Sequence, residues 1–271
     1  MPHAVAFPRM GERPWVMGIV NVTPNSFSDG GRFLGAQAAI EHGLKLAADG
    51  ADLVDVGGES TRPGAEPVPL EEELARVIPV VEALAQAGVK VSVDTLKPET
   101  MRAAIAAGCA VVNDVNGFRA PGAMEAVASS TVGVVAMHMQ GEPRTMQQDP
   151  RYDDVEAQVH GFLEARALAL EAAGVARSRI VLDPGFGFGK TLAHNVALFR
   201  ALPRLCARGW PVLVGVSRKR MIGELTGREV HDRTSGSVAA ALLAVQNGAA
   251  IVRVHDVRET VDAINVWMGL R

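Results

Sequence analysis

Polar residues that could do chemistry recur where short apolar runs of this sequence end. They are Asn21, Asp55, Asp94, Asn113, His138, Asp183, Ser217, Arg253 and His255. A single polar residue in such a place commonly does no more than form a turn. The whole set, however, has acids and amides on the first-half and sixth runs and cations on the last two. This division predicts a ligand with a donor-rich end and an anionic end.

The acceptor side of this set consists of Asp94, Asn113 and Asp183. The Asp-x-Asn-x-Asp pattern of calcium loops is absent, and aromatic residues make up only 4% of the chain, which leaves few platforms for a sugar. The adjacent N–H donors of an amidine-like heterocycle fit a carboxylate better. We therefore expect the acceptors to bind such a heterocycle, and we expect an anion to be bound by the cations. The cation side comprises Arg62, Lys219, Arg253 and His255.

Two segments rich in glycine, proline and hydroxyl groups follow the first two apolar runs. They are residues 21–31, NVTPNSFSDGG, and residues 57–65, GGESTRPGA. Mobile lids at strand ends have this composition, and an Arg within one of them suits a lid that grips an anion. We favour the lid interpretation, and two ordinary connecting loops are the alternative.

A third segment, DPGFGFGK at residues 183–190, alternates glycine with aromatic residues. Glycine lets backbone approach a ligand closely, so we interpret Phe188 as a wall for a flat aromatic substrate. Phe186 is interpreted either as a second wall or as part of the core. The segment resembles a phosphate loop only superficially, because its glycine spacing differs from the Walker pattern.

A repeating unit positions these residues. Six times, an Ala-rich helical stretch ends at a glycine and is followed by a continuously apolar run, the pattern of a strand buried on both faces. We expect a left-handed helix cap at each glycine. These glycines are Gly50, Gly88, Gly108, Gly174, Gly209 and Gly248.

Two further strands of the same kind, predicted over 15–21 and 132–138, complete a set of eight, separated by helices such as the one predicted over 153–173. The pattern and the 271-residue length predict a single (β/α)8 TIM barrel with its site at the carboxyl ends of the strands. We predict an N-terminal tail over residues 1–12 and one barrel domain over 13–271. A doubly wound open sheet is the alternative, although no Gly-x-Gly-x-x-Gly follows the first strand.

Composition excludes several classes of protein. The formal net charge of −3 gives no basic excess for nucleic acid, and the longest apolar stretches are too short to span a bilayer. The first residues do not have the pattern of a signal peptide. Cys109 and Cys206 lack metal-ligand spacing and are best explained as buried thiols of a cytoplasmic protein.

Several ordered motifs together identify a family. They are GIVNVTPNSFSDGG, DVGGESTRPGA, VSVDT, VNDVNG, MHMQGEPRTMQ, LDPGFGFGK, GVSRKRMIG and RVHDV. From residue 15 to residue 267, the chain resembles the dihydropteroate synthase family of pterin-binding enzymes. The resemblance implies a transferase that forms a C–N bond between 6-hydroxymethyl-7,8-dihydropterin diphosphate and 4-aminobenzoate, releasing diphosphate and 7,8-dihydropteroate. It also implies a TIM barrel, a homodimer, a magnesium requirement, small-molecule substrates and sensitivity to sulfonamides.

The resemblance also implies roles for individual residues. The pterin would be held by Asp94, Asn113, Met137, Asp183, Lys219 and Arg253. Diphosphate would be bound by Asn21, Thr61, Arg62, Arg253 and His255, with Asn21 also ligating magnesium. Aminobenzoate would contact Thr61, Pro63, Phe188, Ser217 and Lys219, with Thr23, Pro24, Ser26, Phe27 and Gly187 nearby. The residues expected to act in catalysis are Asn21, Thr61, Arg62, Asp94, Lys219, Arg253 and His255.

The chemistry of such a reaction needs little acid–base help. An arylamine is already neutral at pH 7, so we predict no dedicated general base and assign His255 to the anion. Catalysis then depends on stabilising the departing diphosphate and on orienting the amine. A pterin-binding methyltransferase and a non-catalytic pterin-binding paralogue are the two alternative functions. Neither has an obvious use for Thr61 and Arg62 on a lid.

Overall fold

The computed structural model describes residues 5–22, 31–60 and 64–271. In the described part, strands of two to seven residues alternate with helices. The strands are β1 (Trp15–Asn21), β2 (Leu53–Gly57), β3 (Val91–Asp94), β4 (Val111–Asp114), β5 (Gly133–Met137), β6 (Ile180–Asp183), β7 (Leu213–Val214) and β8 (Ile251–Val254). Their residues are almost all buried, as the continuously apolar runs predicted.

The strands form one parallel sheet that curves back on itself. Their order is β6-β5-β4-β3-β2-β1-β8-β7. A single parallel bridge between Leu182 of β6 and Val212, next to β7, joins the two ends. In register, Asn21 lies beside Gly57, Gly57 beside Asp94, and Asp94 beside Asn113, so the polar ends of neighbouring strands share one rim. The prediction of an eight-stranded barrel is confirmed, and the open doubly wound sheet is excluded.

Helices surround the barrel and return the chain to its amino-terminal rim. They are α1 (Gly31–Ala48), α2 (Leu70–Gln86), α3 (Pro98–Ala106), α4 (Ala123–Ala128), α5 (Val155–Ala172), α6 (Leu192–Cys206), α7 (Arg220–Thr226), α8 (Thr234–Gln246) and α9 (Val257–Leu270). The six glycines expected to cap helices all have positive φ, between +81° and +100°. Within the described ranges, no helix combines the length and the hydropathy needed to cross a bilayer.

Apolar side chains fill the bottom of the barrel, opposite the polar rim. The cluster there includes Met17, Leu53, Val135 and Ile251, and Phe7 packs into it from before the first strand. The Phe7 ring is 5.7 Å from that of Trp15, centroid to centroid. With the lower half of the interior closed, only the carboxyl end of the barrel can receive a ligand. The boundary between a tail over 1–12 and the barrel stays a prediction.

Candidate active site

Arg253 lies at the centre of the polar rim. Its Nε donates to Asp55 Oδ2 at 2.6 Å, and one terminal nitrogen donates to Asp94 Oδ2 at 2.9 Å. Asn113 Nδ2 also donates to Asp55 Oδ2, at 3.1 Å. The guanidinium thus joins β8 to β2 and β3 in one network, and three of the predicted pterin ligands lie within it.

Asp94 is held in an electrostatically unfavourable place despite its pairing with Arg253. Burial raises the pKa of its carboxyl group from 3.8 to about 7. Arg253 lowers this pKa, but the negative charges of Asp55 and Asp114 raise it. In the absence of ligand, Asp94 therefore titrates near neutral pH, as carboxyl groups at functional sites often do.

Asp94→Asn is expected to change how stability depends on pH. A folded-state pKa of about 7 against an ordinary value of 3.8 means that the unprotonated carboxyl opposes folding. The natural protein should therefore lose stability, relative to the variant, as pH rises from about 4 to about 7. The loss should be at most about 1.4 kcal/mol per pH unit. Urea unfolding of both proteins across this range measures it, and parallel stability curves would contradict the expectation.

Asp183 and Lys219 form the second half of the rim. Asp183, the last residue of β6, is buried, and its Oδ1 accepts from the backbone N–H of Gly185 at 2.7 Å. Burial raises the pKa of Asp183, while the Lys219 charge lowers it. Burial likewise lowers the pKa of Lys219 to about 8, against the opposing effect of Asp183. Each group is thus the nearby charge that favours the ionised form of the other.

Lys219 also contacts the loop that follows β6. Its Nζ donates to the carbonyl of Phe186 at 2.6 Å and lies 4.5 Å from the centroid of the Phe188 ring. Phe188 is half-buried at the rim, which suits a wall for a flat ligand, whereas Phe186 is completely buried. Of the two interpretations of Phe186, the core is therefore the correct one. Lys219 thus interacts both with Asp183, predicted for the pterin, and with Phe188, predicted for the aminobenzoate.

The side chains of Arg253 and Lys219 lie side by side next to Gly215. A Cβ at this position would be 3.7 Å from Cβ of Arg253 and 3.9 Å from Nζ of Lys219. The barrel mouth therefore brings together the two predicted pterin-binding cations, between the carboxylates of Asp94 and Asp183. This pairing of two cations with two acids fits a ligand that presents donors and a nearby anion.

Ser217 and His255 are paired at the ends of β7 and β8. Ser217 Oγ lies 3.0 Å from His255 Nδ1 and accepts from the His255 backbone N–H at 3.1 Å. Arg218, which lies between Ser217 and Lys219 in the sequence, has a left-handed backbone with φ of +55°. It is fixed by its N–H to Ser237 Oγ at 2.9 Å and by its side-chain pair with Asp256. These contacts orient Ser217 and Lys219 on either side of it.

Beneath the second loop lies an ion cluster that the sequence analysis missed. Glu73 of α2 is buried and accepts from Lys97 Nζ at 2.7 Å and from Thr95 Oγ1 at 2.6 Å. Lys97 also pairs with Glu59. This cluster anchors the residues just before Thr61 to the segment that follows Asp94. No sequence pattern predicts the cluster, because its partners come from three separate segments.

The remaining residues predicted from the sequence fall into two groups, those that the structure describes and those that it does not. Asn21 ends β1 with its side chain exposed at the rim, and Met137 ends β5, buried and in register with Asp183. Several predicted residues lie outside the described residues, so their roles stay predictions. They are Thr61, Arg62 and Pro63 in the second loop, and Thr23, Pro24, Ser26 and Phe27 in the first.

One functional residue was noticed in the sequence but given no role. Asp55 is completely buried within the otherwise apolar strand β2, and it holds both Arg253 and Asn113. A carboxylate in the middle of a run such as LVDVG is itself the signal, because a buried charge needs a partner. Only the barrel's closure shows that the partner is Arg253.

Comparison with known proteins identifies the family to which the chain belongs. A family model described as pterin binding enzyme matches residues 17–255. The chain therefore belongs to the pterin-binding enzymes. Among its relatives is the dihydropteroate synthase of Escherichia coli (strain K12), which is 51% identical over 254 residues, or 93% of this chain and 90% of that protein.

Solved structures agree in both fold and family. The dihydropteroate synthase of Xanthomonas albilineans with 4-aminobenzoic acid superposes with a TM-score of 0.90 at 58% identity, covering 97% of this chain and 98% of the other. A structure of the same enzyme with 7,8-dihydropteroate gives a TM-score of 0.84 at 54% identity, covering 96% and 93%. The family expected from the sequence motifs is thus confirmed.

Proposed function

We infer that the chain catalyses the dihydropteroate synthase reaction. It condenses 6-hydroxymethyl-7,8-dihydropterin diphosphate with 4-aminobenzoate to give 7,8-dihydropteroate and diphosphate. The observation that carries this conclusion is the rim that brings together Asp94, Asp183, Lys219 and Arg253. Relatives named dihydropteroate synthase match nearly the whole length of the chain. The neighbouring structures with 4-aminobenzoic acid and 7,8-dihydropteroate concern one substrate and the product of this reaction.

The carboxylates are assigned to the pterin. Its 2-amino group and ring N–H are adjacent donors, and a carboxylate with a free edge accepts both. Asp183 Oδ1 accepts one hydrogen bond, from Gly185 N–H, so the two oxygens keep lone pairs for both pterin donors, while Asp94 is oriented by Arg253. Phe188 and Lys219 then border the aminobenzoate, whose carboxylate and flat ring suit a cation and an aromatic wall.

The other end of the substrate leaves as diphosphate. The pterin methylene carbon loses its C–O bond and gains a C–N bond to the arylamine, whose nitrogen then releases a proton to solvent. His255, fixed by Ser217, and Arg62 with Thr61 are assigned to the leaving group. Since the amine is neutral before attack, the site needs electrostatic stabilisation and orientation and no general base.

The direct test is the release of diphosphate by the purified protein. Release should require the pterin diphosphate and 4-aminobenzoate together, and 7,8-dihydropteroate should form in equal amount. A methyltransferase or a non-catalytic pterin-binding protein would bind the pterin and yet release no diphosphate when both compounds are present. That outcome would refute the proposed reaction.

Magnesium is proposed as the cofactor, with Asn21 as its protein ligand. Mg²⁺ typically keeps waters and substrate phosphates and takes only one or two protein oxygens. The exposed amide oxygen of Asn21 at the strand end fits this role. Within the described ranges, no group of three or more His, Cys, Asp or Glu side chains is arranged to hold a metal. When bound, the ion would neutralise charge on the departing diphosphate.

Asn21→Ala is expected to lower turnover at limiting magnesium while pterin without diphosphate still binds normally. The reason is that Asn21 is assigned to magnesium and diphosphate, whereas the pterin ring is assigned to Asp94 and Asp183. Turnover measured over a magnesium titration should show a higher half-saturating concentration in the variant. An equal loss of pterin binding, measured by calorimetry, would indicate instead that Asn21 is merely structural.

A homodimer is proposed on the surface formed by α7, α8 and α9. Large apolar side chains are exposed along these neighbouring elements, and a groove there is lined by Leu242, Trp267 and others. The exposed residues are Leu225, Val230, Leu243, Val266 and Leu270. Light scattering should give twice the chain mass for the natural protein and one chain mass for Leu243→Glu, and an unchanged mass in the variant would move the interface elsewhere.

A cytoplasmic location is proposed as well. Cys109 and Cys206 are both buried and free, and burial raises the pKa of Cys206 to about 11, so both remain protonated thiols. Unpaired cysteines are typical of proteins in reducing compartments. Fractionation of cells that express the full gene product would test this location.

A further inference from the structure

Lys190 is a buried lysine at the end of the loop that follows β6. Its side chain is almost completely buried, and its ammonium group has a partner for each of its three protons. Nζ donates to the carbonyls of Gly185 and Phe188, each at 2.9 Å, and to Nδ1 of His138 at 3.0 Å. A weaker contact reaches the His138 carbonyl at 3.4 Å.

The loop over residues 185–189 needs such a group because its backbone turns inward. Gly185, Gly187 and Gly189 have φ of +66°, +80° and +61°. A Cβ on Gly185 would lie 1.9 Å from the His138 carbonyl oxygen, and one on Gly189 would lie 2.6 Å from that of Gln140. The loop therefore packs directly on the loop after β5. Lys190 supplies the hydrogen bond to the Phe188 carbonyl and a second one to the Gly185 carbonyl, which also accepts from Phe188 N–H at 3.1 Å.

His138 is suited to accept from Lys190. Burial lowers the pKa of the His138 ring to about 3, with the Lys190 charge lowering it further, so the ring is neutral at physiological pH. A neutral ring that accepts at Nδ1 carries its proton on Nε2. The ring is also packed edge-on against Phe162, 5.0 Å between centroids. The acceptor therefore has a fixed position.

The same loop makes three contacts with the active site. Its Gly185 N–H donates to Asp183 Oδ1 at 2.7 Å, and its Phe186 carbonyl accepts from Lys219 Nζ at 2.6 Å. It also carries the Phe188 ring, which lies 4.5 Å from Lys219 Nζ. The conformation of this one loop therefore sets the positions of groups assigned to both substrates.

We propose that Lys190 is a positioning residue for substrate binding. It folds the loop over residues 185–189 into the conformation that orients Asp183, Lys219 and Phe188, while it contacts no substrate itself. The proposal rests on the proposed function. It differs from a purely structural role, in which Lys190 would contribute to stability and leave the folded active site unchanged.

Lys190→Met tests this proposal, because methionine is an unbranched side chain only one atom shorter than lysine and lacks all three donors. The KM for pterin diphosphate and the KM for 4-aminobenzoate should both rise at least tenfold, measured well below the melting temperature. Thr191→Ala is the matched control. Thr191 is adjacent to Lys190, and its Oγ1 caps the next helix by accepting from His194 N–H at 3.2 Å. The substitution removes this cap but does not affect the hydrogen bonds to the loop carbonyls. Its KM values should stay within twofold of the natural ones.

A second pair of variants serves if Lys190→Met does not fold. His138→Leu removes the acceptor of Lys190, and His138→Asn keeps one, because the Asn carbonyl oxygen can take the place of Nδ1. We expect the KM values to rise about threefold or more in the Leu variant and to recover in the Asn variant. Unchanged KM values in Lys190→Met, or in His138→Leu where Lys190→Met does not fold, would overturn the proposal. Inactivity of the natural protein would instead refute the proposed function, and pterin binding measured by calorimetry would then still test Lys190.

Discussion

Replacing Arg253 by methionine is expected to destabilise the protein by about 3–5 kcal/mol and to reduce activity below detection. The guanidinium makes hydrogen bonds of 2.6 Å and 2.9 Å with the carboxylates of Asp55 and Asp94. Asp55 is completely buried, so removal of its partner would leave an uncompensated charge in the barrel. Urea unfolding and the diphosphate-release assay measure the two effects.

A surface arginine that is paired with a single carboxylate provides the control. Arg13 donates from one terminal nitrogen to both oxygens of Asp52, at 2.8 Å and 2.9 Å, and its side chain is 40% exposed. Arg13→Met should cost at most about 1 kcal/mol and leave activity unchanged. If Arg253→Met were no more destabilising than Arg13→Met, the buried network would not have the importance that its geometry suggests.

A double variant separates the loss of the pair from the cost of the orphaned charge. Asp55→Asn, added to Arg253→Met, removes the buried negative charge while it preserves shape. It should recover about 2 kcal/mol or more of the lost stability, because an unpaired buried charge is the largest part of the cost. Activity should not recover, since the cation assigned to the substrate is still missing. Recovery of both would indicate that Arg253 acts only by neutralising Asp55.

The barrel could be predicted from sequence because its signals are local. Each capping glycine lies within a few residues of the strand that it precedes, and a helix that ends in a left-handed residue is a short-range feature. The first predicted strand coincides with β1 (Trp15–Asn21), and the helix predicted over 153–173 is α5 (Val155–Ala172). The polar strand ends then had to share a rim, since parallel strands place their carboxyl ends together.

The contacts within the site could not be predicted in the same way. Arg253 and Asp55 are 198 residues apart in sequence, and the ring closes through one bridge between Leu182 and Val212. Pairing of this kind depends on the stagger of all eight strands, which no local pattern encodes. The sequence therefore predicted which residues face the mouth, but it did not show that Arg253 is held by two carboxylates.

Asp183→Asn is expected to lower pterin affinity by about ten- to a hundredfold, or 1.5–3 kcal/mol. One oxygen of Asp183 accepts from Gly185 N–H at 2.7 Å, which leaves the other for the pterin. Asparagine can keep the first contact with its carbonyl oxygen, and its NH2 group would then face the donors of the pterin. Calorimetry with a pterin that lacks diphosphate measures the loss directly.

Asp183 is buried, although it ends its strand at the barrel mouth, and its carboxylate caps the turn into Gly185. We still expect only a small change in melting temperature, since the asparagine oxygen preserves that cap. Two electrostatic effects then oppose each other, because a carboxylate whose pKa is raised by burial is removed while Lys219 loses the negative charge that favours its ionised form.

Asp114→Asn is the control that distinguishes a ligand-binding carboxylate from a turn cap. Asp114 ends β4. Both of its oxygens accept from backbone N–H groups, those of Asn116 at 2.7 Å and Phe118 at 2.6 Å. An amide there must lose one of these bonds, so Asp114→Asn should melt earlier and bind pterin normally. Asp183→Asn should do the reverse. If Asp183→Asn also melted earlier and kept its pterin affinity, Asp183 would be a cap alone, and the donor-rich end of the ligand would have to be assigned to Asp94.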